Sequence, residues 1–182
     1  RNRFKIPVIA ITGSNGKTIV KDWLSQIISQ KINAAVSPRS YNSQIGVSLS
    51  LWQIDPQNEL AIIEAGISKP NEMAFLAQMI QPTIGVFTNI GDAHLMNFKD
   101  RKQLIKEKAL LFKGAERVIA NSNSLMLIRE LKSLKVPLYT WGSSDSDDVK
   151  ISICKLSDKT ELLVNNTLLF TISFTDDASI EN

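Results

Sequence analysis

The chain has 182 residues, of which 43% are hydrophobic and 21% are charged, and its formal net charge is +3. This composition is typical of a globular protein with one sizeable core, and it excludes disordered and fibrous classes. The basic residues are spread along the chain, so they predict neither nucleic-acid binding nor membrane binding, whereas a polyanionic small ligand would suit them.

The single cysteine, Cys154, excludes an internal disulfide and a cysteine-based zinc site. No apolar run approaches the ~20 residues needed to span a bilayer, and we recognise no signal peptide. We therefore expect a protein of the reducing cytoplasm. Because the chain starts abruptly at a strand, we also expect it to be a piece of a longer protein.

The first motif is a strand, a glycine turn and a helix start in direct succession. Val8 to Ile11 form an apolar, β-branched run that predicts a buried strand, and helical periodicity begins at Lys17. Backbone N–H groups in such a turn bind phosphate, a lysine adds charge, and a hydroxyl can ligate Mg²⁺. We therefore predict that the following residues bind the phosphates of a nucleotide: Thr12, Gly13, Ser14, Asn15, Gly16, Lys17 and Thr18.

The spacing of this motif departs from the common phosphate-binding loop, because two residues rather than four separate Gly13 from Gly16. An ordinary strand-to-helix turn is therefore the alternative. The position of the glycines between a strand and a helix favours the phosphate loop.

Strand-like and helix-like segments alternate along most of the chain. Apolar runs predict strands at residues 8–11, 34–36, 60–66, 84–88, 117–120 and 138–141, and 3.6-residue periodicity predicts helices at 17–31, 45–54, 71–81, 100–114 and 124–134. Asn71 and Asp100 are candidate helix caps. This alternation predicts an α/β fold with a doubly wound, mostly parallel sheet.

The pattern changes at residue 143, where a polar loop is followed by apolar and polar residues in alternation. This alternation predicts a small antiparallel β-hairpin or meander over residues 143–175, with its turn at Asn165 and Asn166. We therefore expect one domain, residues 1–182, with a β appendage near its C-terminal end.

Three chemically distinctive residues fall at predicted strand ends: Gly13, Glu64 and Asn89. In parallel sheets, ligands bind at the carboxyl ends of the strands, so these residues are expected to line one site. Glu64 closes an apolar strand and is either a Mg²⁺ ligand or a rim carboxylate paired with a lysine. The neighbouring phosphate loop favours the metal.

The only histidine, His94, follows the third long strand in the same segment as Asn89. It is either structural or catalytic.

Lys108 lies in the middle of the apolar stripe of its helix, between Leu104 and Leu111. Such a lysine either extends past its neighbours to water or is held close to the site with a lowered pKa, where it can react with CO₂ to form a carbamate.

Five blocks of the sequence together resemble the Mur ligase family: residues 12–18 (TGSNGKT), 41–46 (YNSQIG), 64–66 (EAG), 88–95 (TNIGDAHL) and 107–108 (EK). Within the family they are most similar to the branch that adds D-Ala-D-Ala to UDP-MurNAc-tripeptide in peptidoglycan synthesis, some of whose members are fused to an alanine racemase. The resemblance implies ATP-dependent amide bond formation through an acyl phosphate. It also implies the central ATP-binding domain, with the flanking UDP-binding and C-terminal domains missing from this chain and the isolated fragment inactive.

The resemblance also implies roles for individual residues. Lys17 would hold phosphates, Thr18 and Glu64 would serve the first Mg²⁺, and His94 with a carbamylated Lys108 would serve the second. The family's motif asparagines match Asn42, on the substrate side, and Asn89, on the nucleotide side. Two departures weaken the match: Gln44 replaces a common acidic residue, and Ser179 replaces the first asparagine of a pair, leaving Asn182 as the candidate adenine contact.

Two other functions remain open on the sequence. One is another amide ligase on the same scaffold, such as folylpolyglutamate synthase. The other is a non-catalytic nucleotide-binding module with a degenerate site.

Overall fold

The computed structural model describes residues 3–91, 95–165, 167–173 and 175–176. Within these residues nine strands are formed: β1 Val8–Thr12, β2 Ala34–Val36, β3 Leu60–Glu64, β4 Ile84–Phe87, β5 Arg117–Asn121, β6 Leu138–Gly142, β7 Val149–Lys155, β8 Thr160–Val164 and β9 Thr167–Ile172. The α-helices are α1 Lys17–Ile28, α2 Gln44–Trp52, α3 Met73–Ile80, α4 Arg101–Ala109 and α5 Leu125–Ser133.

The strands form one sheet in the order β2-β3-β1-β4-β5-β6-β7-β8-β9. Pairing is parallel from β2 to β7 and antiparallel between β7, β8 and β9. The predicted fold class, a mostly parallel α/β sheet with antiparallel strands near the C-terminal end, is therefore confirmed. β8 and β9 pair around Val164 and Thr167, where the turn was predicted.

The central strands are buried on both faces, as expected for parallel strands that carry helices on each side. On one face, residues of β1 and β3 pack with Val47 of α2, Met73 of α3 and Leu104 of α4. On the other face, a smaller cluster of Ile9, Ile11, Leu60 and Ile62 packs against α1. No helix among the described residues is both long and apolar enough to cross a membrane.

The helix that follows the glycine turn differs from its predicted form. It ends at Ile28 rather than near residue 31, and Val20 and Leu24 pack against the sheet. Ile19, Trp23 and Ile27 belong to the same apolar pattern but are exposed. The fully buried side chain of α1 is instead Lys21, which periodicity alone did not indicate.

Side-chain caps begin several helices. Asp100 accepts the N–H of Gln103 at 2.7 Å, as predicted, and Ser43 accepts the N–H of Gly46 at 3.3 Å. The predicted cap at Asn71 was wrong. Asn71 has a φ of 70°, and the N–H of Met73 instead donates to the buried carboxylate of Glu107 at 3.2 Å.

Gly85 in β4 lies against an aromatic ring, and a Cβ at this position would meet Phe112 Cδ1 at 2.3 Å. We predict that Gly85→Ala lowers the free energy of unfolding by about 1–3 kcal/mol, because the core cannot accept the extra methyl group without moving the ring. Urea denaturation measures this loss. In a Phe112→Leu background the same change should cost less, and an equal loss in both backgrounds would contradict the steric explanation.

Candidate nucleotide and metal site

The turn between β1 and α1 is held against the end of β4. The N–H of Ser14 donates to Asn89 O at 2.9 Å, and the N–H of Asn15 donates to Asn89 Oδ1 at 3.0 Å. From the same segment, Thr88 Oγ1 donates to Asn15 O at 2.6 Å. Asn89 therefore orders the loop through both its backbone and its side chain.

Two glycines allow this close approach. A Cβ on Gly13, where φ is +149°, would lie 2.0 Å from Thr88 Oγ1. Gly16 precedes α1 with a φ of 76°, a left-handed conformation that glycine adopts without strain. Among the described residues no side chain caps α1, and the N–H groups of an uncapped first turn can bind an anion.

Two lysines converge on one backbone carbonyl of the loop. Lys17 Nζ lies 3.2 Å from Gly13 O and 3.1 Å from Ser14 O, and Lys108 Nζ donates to Gly13 O at 2.9 Å. Lys108 comes from α4 and is only 1% exposed. Its side chain therefore extends into the site rather than out to water, which decides between the two interpretations of its position.

Burial changes the acidity of both ammonium groups. Burial, and to a lesser extent the positive charge of Lys17, together lower the pKa of Lys108 from 10.5 to about 7. Burial also lowers the pKa of Lys17, although the carboxylate of Glu64 acts in the opposite direction and raises it. Near neutral pH a substantial fraction of Lys108 is therefore a neutral amine.

The carboxylate of Glu64, at the end of β3, is fully buried. Its Oε2 accepts the hydroxyl of Thr18 at 2.9 Å, and its Oε1 accepts the amide of Asn42 at 2.7 Å. Its own N–H donates to Ser37 Oγ at 3.0 Å. Glu64 is thus not a surface residue, and its hydrogen bonds in this structure go to a hydroxyl and an amide rather than to a lysine.

A cavity of about 190 Å³ adjoins these groups. Its lining includes Lys17 and Lys108 together with Asn42, Gln44 and Glu72. A larger cavity, of about 690 Å³, lies beside Thr83 and Glu116, which precede β4 and β5 and so lie at the opposite ends of the strands. Its lining includes none of the predicted site residues, so the smaller cavity is the candidate reaction site.

The profile of the Mur ligase middle domain matches residues 11–182. The chain belongs to the Mur ligase family. It is similar to UDP-N-acetylmuramoyl-tripeptide–D-alanyl-D-alanine ligase from Borreliella burgdorferi, with 34% identity over 143 residues, which cover 79% of this chain and 29% of that protein. The ligase of the same name from Escherichia coli is 30% identical over 167 residues, covering 88% of this chain and 37% of the relative.

Solved structures of Mur ligases share the fold. The MurF ligase from Thermotoga maritima, solved in complex with ADP, aligns with 99% of this chain and 44% of its own length, with a TM-score of 0.84 and 22% identity. Folylpolyglutamate synthase from the same organism aligns with 97% of this chain and 51% of its own length, with a TM-score of 0.70 and 13% identity. The chain spans 21% to 41% of the first four curated relatives that it matches.

The residues of this Mur ligase domain fit a magnesium ion that is carried by a nucleotide. Mg²⁺ prefers oxygen ligands and is usually held by one or two carboxylates together with substrate phosphates and water. Thr18 and Glu64 present a hydroxyl and a carboxylate beside the loop, and the buried hydroxyl of Thr12 lacks a hydrogen-bond partner among the described residues. The described part of the chain holds no group of three or more His, Cys, Asp or Glu residues that could bind a metal without a nucleotide.

Two predicted site residues, His94 and Asn182, lie outside the described residues, so their roles stay predictions. The others come together around the loop and the end of β3. Sequence reasoning missed Lys21, Ser37 and Ser40, whose contacts lie directly behind the site. Nothing in the local sequence signals their role, because the carbonyl partners of Lys21 lie 16 and 18 residues away.

The lowered pKa of Lys108 predicts a pH dependence of stability. Between pH 7 and 10.5 the folded protein binds fewer protons at this site than the unfolded chain, so the free energy of unfolding should rise with pH across this range. The slope contributed by one group is at most about 1.4 kcal/mol per pH unit. Urea denaturation of the wild type and of Lys108→Met at several pH values should show this slope as their difference.

Lys106→Met is the matched control, because Lys106 is an exposed lysine on the same helix. Its pH dependence should follow that of the wild type. A Lys108→Met variant with an unchanged pH dependence would show that Lys108 does not titrate in this range.

Proposed function

We propose that this chain is the nucleotide-binding central domain of a MurF-type ligase. Such an enzyme adds D-Ala-D-Ala to UDP-MurNAc-tripeptide during synthesis of peptidoglycan precursors in the bacterial cytoplasm. The observation that carries the proposal is the convergence of Lys17 and Lys108 on Gly13 O, beside the hydrogen bond from Thr18 to the buried Glu64. We propose that residues 1–182 are one domain, with 143–175 as its β appendage.

The reaction that fits this site has two steps. In the first, the terminal carboxylate of the tripeptide attacks the γ-phosphorus of ATP, forming an acyl phosphate and releasing ADP. In the second, the amine of D-Ala-D-Ala attacks the acyl carbon, the amine loses a proton, and phosphate leaves. Both steps concentrate negative charge on phosphate oxygens, so the site must supply cations and N–H donors.

The loop and Lys17 would supply these groups. The ammonium of Lys17 already lies among the carbonyls of Gly13 and Ser14, where a phosphate oxygen would offer it an anionic partner. An anion there would also favour the charged form of Lys17 and so oppose the effect of burial on its pKa. Magnesium held by Thr18 and Glu64 would neutralise phosphate charge.

Lys108 suits a different task. A neutral amine reacts with CO₂ to give a carbamate and a proton, and the lowered pKa of Lys108 favours the neutral form. We propose that carbamylated Lys108, together with His94, serves a second Mg²⁺. Asn42 would lie on the substrate side, where it adjoins the cavity, and Asn182 would contact the adenine.

Asn89 would act on the nucleotide indirectly. Its backbone carbonyl and its side chain both hold the phosphate loop, through Ser14 and Asn15. The proposal for this residue is therefore that it keeps the N–H groups of the loop in a conformation that binds phosphate.

Folylpolyglutamate synthase activity is the second candidate, because that enzyme's structure shares the fold. The curated relatives at 30–40% identity favour the tripeptide ligase. A non-catalytic module is disfavoured because Lys17, Thr18, Glu64 and Lys108 are all present and close together.

The complete polypeptide should release phosphate from ATP only when UDP-MurNAc-tripeptide and D-Ala-D-Ala are both present. Lys17→Met should abolish this activity, whereas Lys31→Met, on an exposed residue beyond α1, should leave it unchanged. Phosphate release with a folate and glutamate instead would identify the second candidate. The 182-residue chain alone should bind ATP weakly and not ligate. The downstream reading frame tests whether this chain is fused to an alanine racemase, as some members of the family are.

The carbamate has its own test. Lys108→Ala in the complete polypeptide should lose ligase activity, and short carboxylic acids such as acetate should restore part of it, because they can occupy the space of the carbamate. Initial rates with and without acetate measure the rescue, and Lys106→Ala is the control. Wild-type rates in Lys108→Ala would exclude the carbamate.

A further inference from the structure

A fully buried lysine lies behind the site and has no part in the proposed chemistry. Lys21, in the second turn of α1, is 1% exposed, although α1 also carries apolar residues that are half-exposed. A buried ammonium is costly unless its donors are bonded. The hydrogen-bond partners of this ammonium therefore indicate the role of Lys21.

All three donors of the Lys21 ammonium have partners in one short segment or on the helix itself. Lys21 Nζ donates to Ser37 O at 2.9 Å and also to Arg39 O. It forms an ion pair with Asp22 Oδ1 at 3.1 Å, and Asp22 is itself 54% exposed. The side chain thus ties α1 to the backbone that follows β2.

The segment held by Lys21 has a backbone conformation that needs support. Arg39 has a φ of 47°, in the left-handed region that residues with a Cβ rarely adopt. The bond from Lys21 to its carbonyl lies at this strained residue. Ser37, two residues earlier, is also buried.

Residues 37–42 supply hydrogen-bond partners of Glu64 and of Thr18. Ser37 Oγ accepts the N–H of Glu64, and Ser40 Oγ lies 3.2 Å from Thr18 Oγ1. Asn42, at the end of the same turn, donates to Glu64 Oε1. Lys21 therefore holds, from behind, the backbone whose side chains contact both members of the Thr18–Glu64 pair.

We infer that Lys21 is a positioning residue that sets the geometry of the Thr18–Glu64 pair by clamping residues 37–39 to α1. The inference rests on the proposed function, because it assigns the clamp to the pair that would hold magnesium. Lys21 is buried and its donors are taken by Ser37, Arg39 and Asp22, so it would not contact nucleotide or substrate itself. It acts through Ser37 and Asn42.

The test compares the complete polypeptide with Lys21→Met, a variant of similar length without the donors. Affinity for ADP is measured by calorimetry with Mg²⁺ and again with EDTA. The variant should lose about 10- to 100-fold in affinity when Mg²⁺ is present, as is typical when the support of a metal ligand is removed. Affinity in EDTA should change little, because the phosphate loop keeps its contacts with Asn89.

A second readout needs no ligand. The N–H of Glu64 bonds to Ser37 Oγ and the N–H of Gly66 bonds to Asn42 O at 2.9 Å. Hydrogen exchange at these two amides should be faster in Lys21→Met, while exchange at the amides of β5 stays at the wild-type rate. Unchanged exchange at Glu64 and Gly66 would overturn the inference.

Two controls separate positioning from general stability. Asp22→Asn removes the exposed ion-pair partner but leaves both carbonyl bonds, and it should behave as the wild type. Leu24→Ala weakens the packing of α1 against the sheet and leaves both carbonyl bonds of Lys21 in place. If Leu24→Ala and Lys21→Met lose equal affinity for ADP, the role of Lys21 is only structural. The same conclusion follows if Lys21→Met loses equal affinity with and without Mg²⁺.

If Lys21→Met does not fold, Ser37→Ala carries the test, since it breaks the link to Glu64 and keeps the buried ammonium satisfied. It should show the same Mg²⁺-dependent loss of affinity for ADP. Wild-type affinity in this variant would overturn the proposal that Lys21 acts on Glu64 through Ser37. A wild-type protein whose ADP binding does not depend on Mg²⁺ would refute the proposed metal site. The exchange data would then still decide whether the clamp exists.

Discussion

The buried carboxylate of Glu64 is the group on which the rest of the site depends. It is fully excluded from solvent, so its charge must be met by donors that the fold brings to it. Thr18 from the first turn of α1 and Asn42 from the loop before α2 supply them. Because these partners come from separate elements, the carboxylate joins the first helix, the third strand and that loop at one point.

The two lysine side chains of the site also come from separate elements of the fold. Gly13 O accepts Lys108 from α4 and lies close to Lys17 from α1, so two cations are held near each other in a water-poor setting. Burial and, to a lesser extent, the charge of Lys17 lower the pKa of Lys108, while Glu64 partly offsets the effect of burial on the pKa of Lys17. The two lysines differ in that the carboxylate of Glu64 acts on the pKa of Lys17, whereas Lys17 is the charge that acts on the pKa of Lys108. This difference is what the proposal uses when it assigns Lys17 to phosphate and Lys108 to a reaction with CO₂.

Much of this arrangement could be predicted from local patterns. The strand, glycine turn and helix at residues 8–18 depend on neighbours in sequence, as does the capping box at Asp100, and both were found where they were expected. The position of Lys108 within an apolar stripe was also visible, because helical periodicity places it among Leu104 and Leu111. The cap of α3 was not predictable, because the N–H of Met73 is satisfied by Glu107, 34 residues away. The burial of Lys21 was missed for the same reason.

The sequence by itself determined the alternation of strands and helices, the glycine turn between β1 and α1 and the membership of a family whose motifs are spread over residues 12–108. These features follow from short-range periodicity, from glycines at turns and from motif residues. All of these can be recognised without knowing which residues are neighbours in space. Only the tertiary structure decided that Lys108 lies inside rather than at the surface, that Glu64 is paired with Thr18 and Asn42, and that Lys21 holds the backbone at Ser37 and Arg39. The physical reason is that burial and hydrogen-bond partners of charged groups are set by distant segments meeting at the edge of the sheet, which no local pattern records.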